Sequence, residues 1–211
     1  WFGGVTWRRD EHLRAQIWHY IANNIWRDWY VQVNADRKLS GDMALFTDLR
    51  YLRRRETGRA LAGAQGTSMS GGTLGATWRG ATLYGACERI GDRLVQRPWG
   101  HSLVISEQVE SCDQAWQHAW LLGLGYDLGR LGLRGLKANV SGSWYAAPAG
   151  ATAARQERRE IDYDLRFAFG SSWEARVRYA EVRAETNGAR AEGARDLRLQ
   201  LSHSFSLVRG R

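Results

Sequence analysis

The chain has 211 residues, a formal net charge of +8, 44% hydrophobic side chains and a mean hydropathy of −0.49. No stretch of eighteen apolar residues occurs, which excludes a transmembrane helix. Eleven Trp and eight Tyr beside thirty Lys plus Arg fit an ordinary soluble core poorly, and fit a wall with a lipid side, a water side and aromatic rims well.

The sequence opens on Trp1-Phe2-Gly3, inside an alternating segment and without Met, as expected of a piece of a longer protein or a processed chain; no signal peptide is visible. Alternation of apolar and polar residues then recurs to the end. It predicts eleven strands near 1–9, 12–23, 25–37, 42–55, 68–79, 81–91, 114–127, 133–146, 159–170, 173–185 and 194–207. Short turns are expected at Arg9-Asp10-Glu11, Leu39-Ser40-Gly41, Arg79-Gly80, Gly129 to Gly132 and Gly170-Ser171-Ser172. Longer loops are expected at 56–67, 92–113, 147–158 and 186–193, with a short exception at Asn23-Asn24. Short turns at one end and long loops at the other are the pattern of periplasmic turns and extracellular loops. The fold class is therefore all-β, an antiparallel transmembrane β-barrel, read as a single partial barrel domain over 1–211. Pro98 and Pro148 both fall in loops, as a continuous ladder requires.

Each strand sorts its side chains. Strand 12–23 sets Leu13, Ala15 and Ile17 against Arg14, Gln16 and Trp18; strand 25–37 sets Trp29, Val31, Val33 and Ala35 against Tyr30, Gln32, Asn34 and Asp36. Strand 42–55 sets Leu45, Leu49 and Tyr51 against Asp48, Arg50 and Arg54. Strand 159–170 sets Ile161, Tyr163, Leu165, Phe167 and Phe169 against Asp162, Asp164, Arg166 and Ala168. Strand 173–185 sets Trp173, Ala175, Val177 and Tyr179 against Glu174, Arg176 and Arg178, and the last strand sets Leu197, Leu199 and Leu201 against Asp196, Arg198 and Gln200. An Arg facing lipid at the midplane costs roughly 2–4 kcal/mol, so the charged faces must look into the lumen. The expected lumen set is Arg14, Arg50, Arg166, Arg176, Arg178 and Arg198, with Lys137 nearby and Asp48, Asp164 and Glu174 as acidic contrast. These groups could simply brace the wall as ion pairs. They could also form a positive track, because guanidinium binds carboxylate bidentately and stays charged at any relevant pH. The placement of Arg on strand faces, rather than in helices or tails, argues against a nucleic-acid partner. Cys87 and Cys112 flank the long loop, and their spacing alone leaves a disulfide and two free thiols both open.

Several stretches resemble the OprD family of outer-membrane, substrate-selective porins. They are Arg50-Tyr51-Leu52-Arg53-Arg54-Arg55-Glu56-Thr57-Gly58-Arg59-Ala60-Leu61-Ala62-Gly63, the turn Tyr126-Asp127-Leu128 followed by Leu131-Gly132-Leu133-Arg134-Gly135-Leu136, the run Glu157 to Asp164, and Arg195-Asp196-Leu197-Arg198-Leu199. The resemblance covers about residues 40–207 and implies the last eleven strands of an eighteen-stranded barrel, often three to an assembly, in the bacterial outer membrane. It implies passive, charge-selective uptake of small carboxylate-bearing solutes (amino acids, peptides or aromatic acids) along a basic ladder onto which Arg50, Arg166, Arg176, Arg178 and Arg198 map. The implied partners are outer-membrane lipid and those solutes, with no cofactor. It also places the inward-folded constriction loop in an N-terminal half outside this chain. The turn Gly170-Ser171-Ser172 is shorter than the family's usual connection, and Val208 to Arg211 run past the expected last strand, which bears on whether Phe205 or Leu207 is the assembly-signal residue.

Catalytic and metal patterns are missing from the sequence. His12, His19, His101, His118 and His203 make no metal spacing, and no Gly-x-Ser-x-Gly elbow occurs. The Gly-rich run Gly123 to Gly129 has the wrong gaps for a dinucleotide loop. Ser204 and His203 point to opposite faces, and Asp162 with Asp164 fits lumen electrostatics better than an acid/base dyad. The competing readings are a barrel acting as an anchor or translocator and a lipase-type barrel enzyme.

Overall fold

A period of two sorts side chains between two faces, backbone N–H and C=O groups need neighbouring strands to bond to, and short turns make the sequence-adjacent strand that neighbour. The computed structural model, which describes residues 1–95, 103–148 and 154–205, is built this way. Its strands are β1 Phe2–Arg8, β2 Leu13–Ala22, β3 Trp26–Ser40, β4 Met43–Glu56, β5 Thr67–Trp78, β6 Ala81–Ile90, β7 His118–Asp127, β8 Leu136–Ala147, β9 Gln156–Phe169, β10 Trp173–Thr186 and β11 Ala189–His203. They form one antiparallel sheet in which every strand pairs with its sequence neighbours, so β1 and β11 each pair on one side only. No helix among the described residues is long and apolar enough to cross a membrane. Residues 206–211, and with them Leu207 and the four-residue tail, lie outside the described residues.

The register keeps a single inside/outside parity across the sheet. One row runs Lys137–Arg166–Arg176–Gln200 and the next Asn139–Asp164–Arg178–Arg198, all on one face. The opposite face carries Leu165, Val177 and Leu199 in a single row. From Ile161 to Phe169, β9 presents five apolar side chains outward; eight rises of about 3.3 Å tilted by about 40° give a band roughly 20 Å tall, close to a hydrocarbon thickness of about 25 Å once the aromatic rims are added. At the lower rim Phe169 stacks on Trp173 at 6.3 Å between ring centroids, and Trp173 lies 4.4 Å from the His203 ring. At the upper rim Trp120 stands opposite Trp144, and the His19 ring stacks on Trp29 at 4.0 Å.

One connection differs from the sequence expectation, and a short turn expected at the other end takes a defined form. The stretch 186–193 is not a loop: β10 and β11 run on to a two-residue turn, Asn187-Gly188, with φ of 52° and 78°. Both residues occupy the left-handed region that a tight hairpin turn demands, which Asn and Gly tolerate best. Just below it the pairing shifts between Val182 and Ala184 in a bulge, and a side chain at Gly193 would meet the Val182 carbonyl oxygen at 2.4 Å. At the other end the Gly129-to-Gly132 turn is a short 3-10 turn, Leu128–Leu131, capped by the Asp127 carboxylate, which accepts from the Gly129 N–H at 2.9 Å.

The lipid-facing assignment of the apolar row predicts an asymmetry between adjacent residues. Leu165→Arg should lower the unfolding free energy of the bilayer-inserted barrel by roughly 2–4 kcal/mol, whereas Ala168→Arg, on the inner face near the rim, should cost much less. Denaturant titration in phospholipid vesicles measures both.

Candidate solute path

The inner face is not uniformly polar. Toward the end that carries the longer connections, Leu52, Met69 and Ile90 form a buried inward row across β4, β5 and β6, joined by Trp26, Tyr30 and Tyr145. They are covered by the connection between β6 and β7, which turns back into the sheet's concave side and buries Leu103, Ile105 and Cys112 there. The sequence expectation put loop 92–113 outside and the inward-folded loop in a missing half; here segment 103–113 itself folds inward.

Two carboxylates on the wall hold this segment. The Glu88 carboxylate on β6 accepts the backbone N–H groups of Val104 (3.0 Å) and Ile105 (2.8 Å), and the Glu160 carboxylate on β9 accepts those of Val109 (2.8 Å) and Glu110 (2.7 Å). Each anchor satisfies two successive backbone donors that would otherwise be stranded in a water-poor site. Arg50 on β4 donates to the Leu103 carbonyl (2.6 Å), and Arg198 on β11 donates to the Gln108 carbonyl (2.8 Å). In a flat sheet β4 and β11 would lie about 34 Å apart at about 4.8 Å per strand, whereas five residue steps span at most about 18 Å. Since side chains stand roughly perpendicular to a sheet, the strap reaches both strands only because the sheet curves around it.

The structure places all ten expected lumen residues on the inner face, but it divides them. Arg50 grips Asp48 with two contacts, 2.9 and 2.6 Å, and Arg176 and Arg166 both bind Asp164, with Arg166 at 3.1 Å. Arg198 pairs with Asp196 (2.7 Å), a carboxylate absent from the expected set. Arg14 donates to Gln16 (3.0 Å), which continues through Gln32 (2.6 Å) to Asp48 (3.0 Å), a polar chain that ends at Arg50. Arg14, Lys137 and Arg178 hold no ion pair among the described residues. Glu174 faces inward one row below Arg176, opposite Ala168 and Ser202. Arg54, on the same polar face of β4, is fully buried, pairs with Asp28 at 2.6 and 2.7 Å and lies 4.3 Å over the Trp26 ring, so it braces the wall. A hollow of about 740 Å³ lies between Arg8, Arg14, Asp48 and His12. A second, of about 510 Å³, lies between Lys137, Arg166, Asp164 and Tyr84.

What sequence reading missed is the loop and its anchors, Glu88, Glu160, Glu107 and Glu110. One signal was present: Leu103, Val104, Ile105, Val109 and Cys112 are too apolar for a solvated loop. Cys87 faces outward and Cys112 is buried inside the wall, so both thiols are free, and burial pushes the Cys112 thiol up. Among the described residues no cluster of His, Cys, Asp or Glu could hold a metal ion.

A family model for outer membrane porins of the OprD family matches residues 1–207. The chain belongs to the OprD family of outer membrane porins. Proteins of this family are outer membrane porins. The same fold appears in OprD of Pseudomonas aeruginosa (TM-score 0.85, 18% identity, covering 98% of this chain and 60% of that one). It appears in a BenF-like porin of Pseudomonas fluorescens Pf-5 (0.82, 19%, 96% and 54%) and in Pseudomonas aeruginosa OpdK with vanillate (0.81, 20%, 96% and 55%). This porin chain thus spans less than two thirds of the solved relatives it matches. No curated protein sequence matches it.

The loop of this porin carries a titratable latch. The Glu107 carboxyl accepts from Ser141 Oγ (2.9 Å), and burial, followed by contact with Asp162, pushes its pKa from its usual 4.5 up to about 8. A carboxyl whose pKa is raised on docking favours the docked state when protonated. Docking is therefore fully present below about 4.5 and weakens as pH rises toward about 8. Single-channel recordings should show loop flicker increasing across that window, and Glu107→Gln should flatten the dependence.

Proposed function

We propose that the barrel to which this chain contributes admits small carboxylate-bearing solutes passively and selects them by inner-face charge. The observation that carries this reading is the arrangement around Asp164. Lys137, Arg166, Arg176, Arg178 and Arg198 occupy two adjacent inner rows on four neighbouring strands, and their cations outnumber the carboxylates Asp164 and Asp196. Arg178, half-buried and without an ion pair among the described residues, and Lys137, exposed, are the cations with unspent hydrogen-bonding capacity. Arg14, exposed beside the larger hollow, is a third on the opposite wall.

Such sites are moderate by construction. A carboxylate that meets Arg178 competes with the Asp164 already held by Arg176 and Arg166, so it is attracted without being trapped, as conduction requires. Ion pairs such as Arg50–Asp48 brace the wall and set shape more than charge. The solved complex of OpdK with vanillate, an aromatic carboxylate, favours the same solute class. A single barrel domain over 1–211, with the open edges of β1 and β11 completed by further strands, and assembly as three barrels belong to this reading; unpaired edges do not persist in lipid.

One cation about 6 Å from a passing carboxylate contributes about 0.7 kcal/mol in water, or about threefold in occupancy. The combined variant Arg176→Gln, Arg178→Gln and Arg198→Gln should lower the anion-over-cation permeability ratio of the full barrel in planar bilayers by about tenfold or more. An unchanged ratio would remove charge selection as the function of this path.

A further inference from the structure

The same parity that sends the ladder inward sends another group of arginines outward. On the outer face, just above the apolar band, Arg27 of β3 stands directly opposite Arg55 of β4, and Trp29 stands directly opposite Arg53. All three arginines are exposed. The next outward pair below is Val31 and Tyr51, followed by Val33 and Leu49, which belong to the lipid-facing band. The group therefore sits at the head-group level, at the end that carries the longer connections.

Nothing among the described residues balances it. None of the three arginines holds an ion pair among the described residues. Outward neighbours on β2 are His19 and Ile21, and on β5 Ser68 and Ser70. The nearest acids are turned away or engaged: Asp28 is buried against Arg54, and the Glu56 carboxylate accepts the N–H groups of Gln65 and Gly66, both at 2.7 Å. Like charges placed directly across a strand pair destabilise a sheet. An anion seated between them reverses that sign. The second outward group, on β9 to β11, behaves differently. There Arg159 and Arg183 also stand opposite each other, but Glu181 pairs with Arg183 at 3.3 Å and stands opposite Arg195, and Glu185 stands opposite Arg190, so acids on the same face offset most of the charge.

We propose that Arg27, Arg53 and Arg55 form a docking site on the outer wall for the phosphate monoester of an outer-leaflet lipid head group. Guanidinium pairs bind phosphate bidentately, and cross-strand Cβ atoms about 5 Å apart let two of them close on one phosphate. Trp29 covers the sugar or glycerol region, and Val31 and Leu49 carry the acyl chains. Basic groups at membrane surfaces recognise anionic head groups in this way.

The test uses the full barrel in nanodiscs of phosphatidylethanolamine doped with bis-phosphorylated lipid A, and lipid retained after detergent extraction is quantified by mass spectrometry. The combined variant Arg27→Gln, Arg53→Gln and Arg55→Gln should retain at least about tenfold less lipid A than the unmodified barrel. The pair Arg183→Gln and Arg195→Gln should retain as much as the unmodified barrel. Dephosphorylated lipid A, and phosphatidylglycerol with its phosphodiester, should be retained no better by the unmodified barrel than lipid A is by the triple variant. Full retention by the triple variant, or equal retention of either comparison lipid, overturns the proposal. If the triple variant does not fold, the two comparison lipids on the unmodified barrel decide it alone.

Discussion

Inside a hydrocarbon layer no water is available to satisfy a stray N–H or C=O, and this requirement governs everything else in the chain. It forces each strand to pair with its neighbours, and the short turns make those neighbours sequential. Once the ladder is continuous, a single parity is inherited from strand to strand, because a slip of one residue would turn an entire charged face toward lipid. The Arg rows beside Asp164 and the apolar row through Leu165 are two sides of the same constraint. The charged inner rows are therefore a by-product of how the wall keeps its other side apolar.

The segment 103–113 obeys the same rule by other means. It has no ladder to join apart from a single Ser106–Ser111 bridge. Four of its backbone donors go instead to Glu88 and Glu160, whose carboxylates reach from the wall and take two N–H groups each, and others turn back to carbonyls within the segment. This explains why the inner face changes character along its height. Away from the segment the wall meets water and is charged; where the segment packs on it the wall meets Leu103 and Ile105 and is apolar, with Leu52, Met69 and Ile90 in a row.

Strand number and the sharing of one face by the ten expected residues were legible in the sequence, since each follows from a local period of two and a charge that lipid rejects. The turn at Asn187-Gly188 was also written in the sequence, yet Ala and Gly around it blur the alternation and hide the strand ends. The inward segment was not legible. Its anchors lie 17 and 50 residues away from Ile105 and Glu110, and a carboxylate that will cap backbone donors looks the same in sequence as one that will meet water. Nor could spacing show which arginines would be spent: Arg176 and Arg178 are neighbours on one face, but only Arg176 reaches Asp164 with hydrogen bonds.

The strap between Arg50 and Arg198 has a mechanical meaning. It is short and fastened at both ends to separate strands, with Glu88 holding it between those ends and Glu160 just beyond Gln108. A tie of fixed length between two strands of a flexible sheet sets how sharply the sheet curves between them. That curvature depends on the number of residues between Leu103 and Gln108 as much as on the bulk of any side chain. Adding or deleting a single strap residue would thus change how tightly the sheet is drawn in, while leaving the strand count of the wall unchanged.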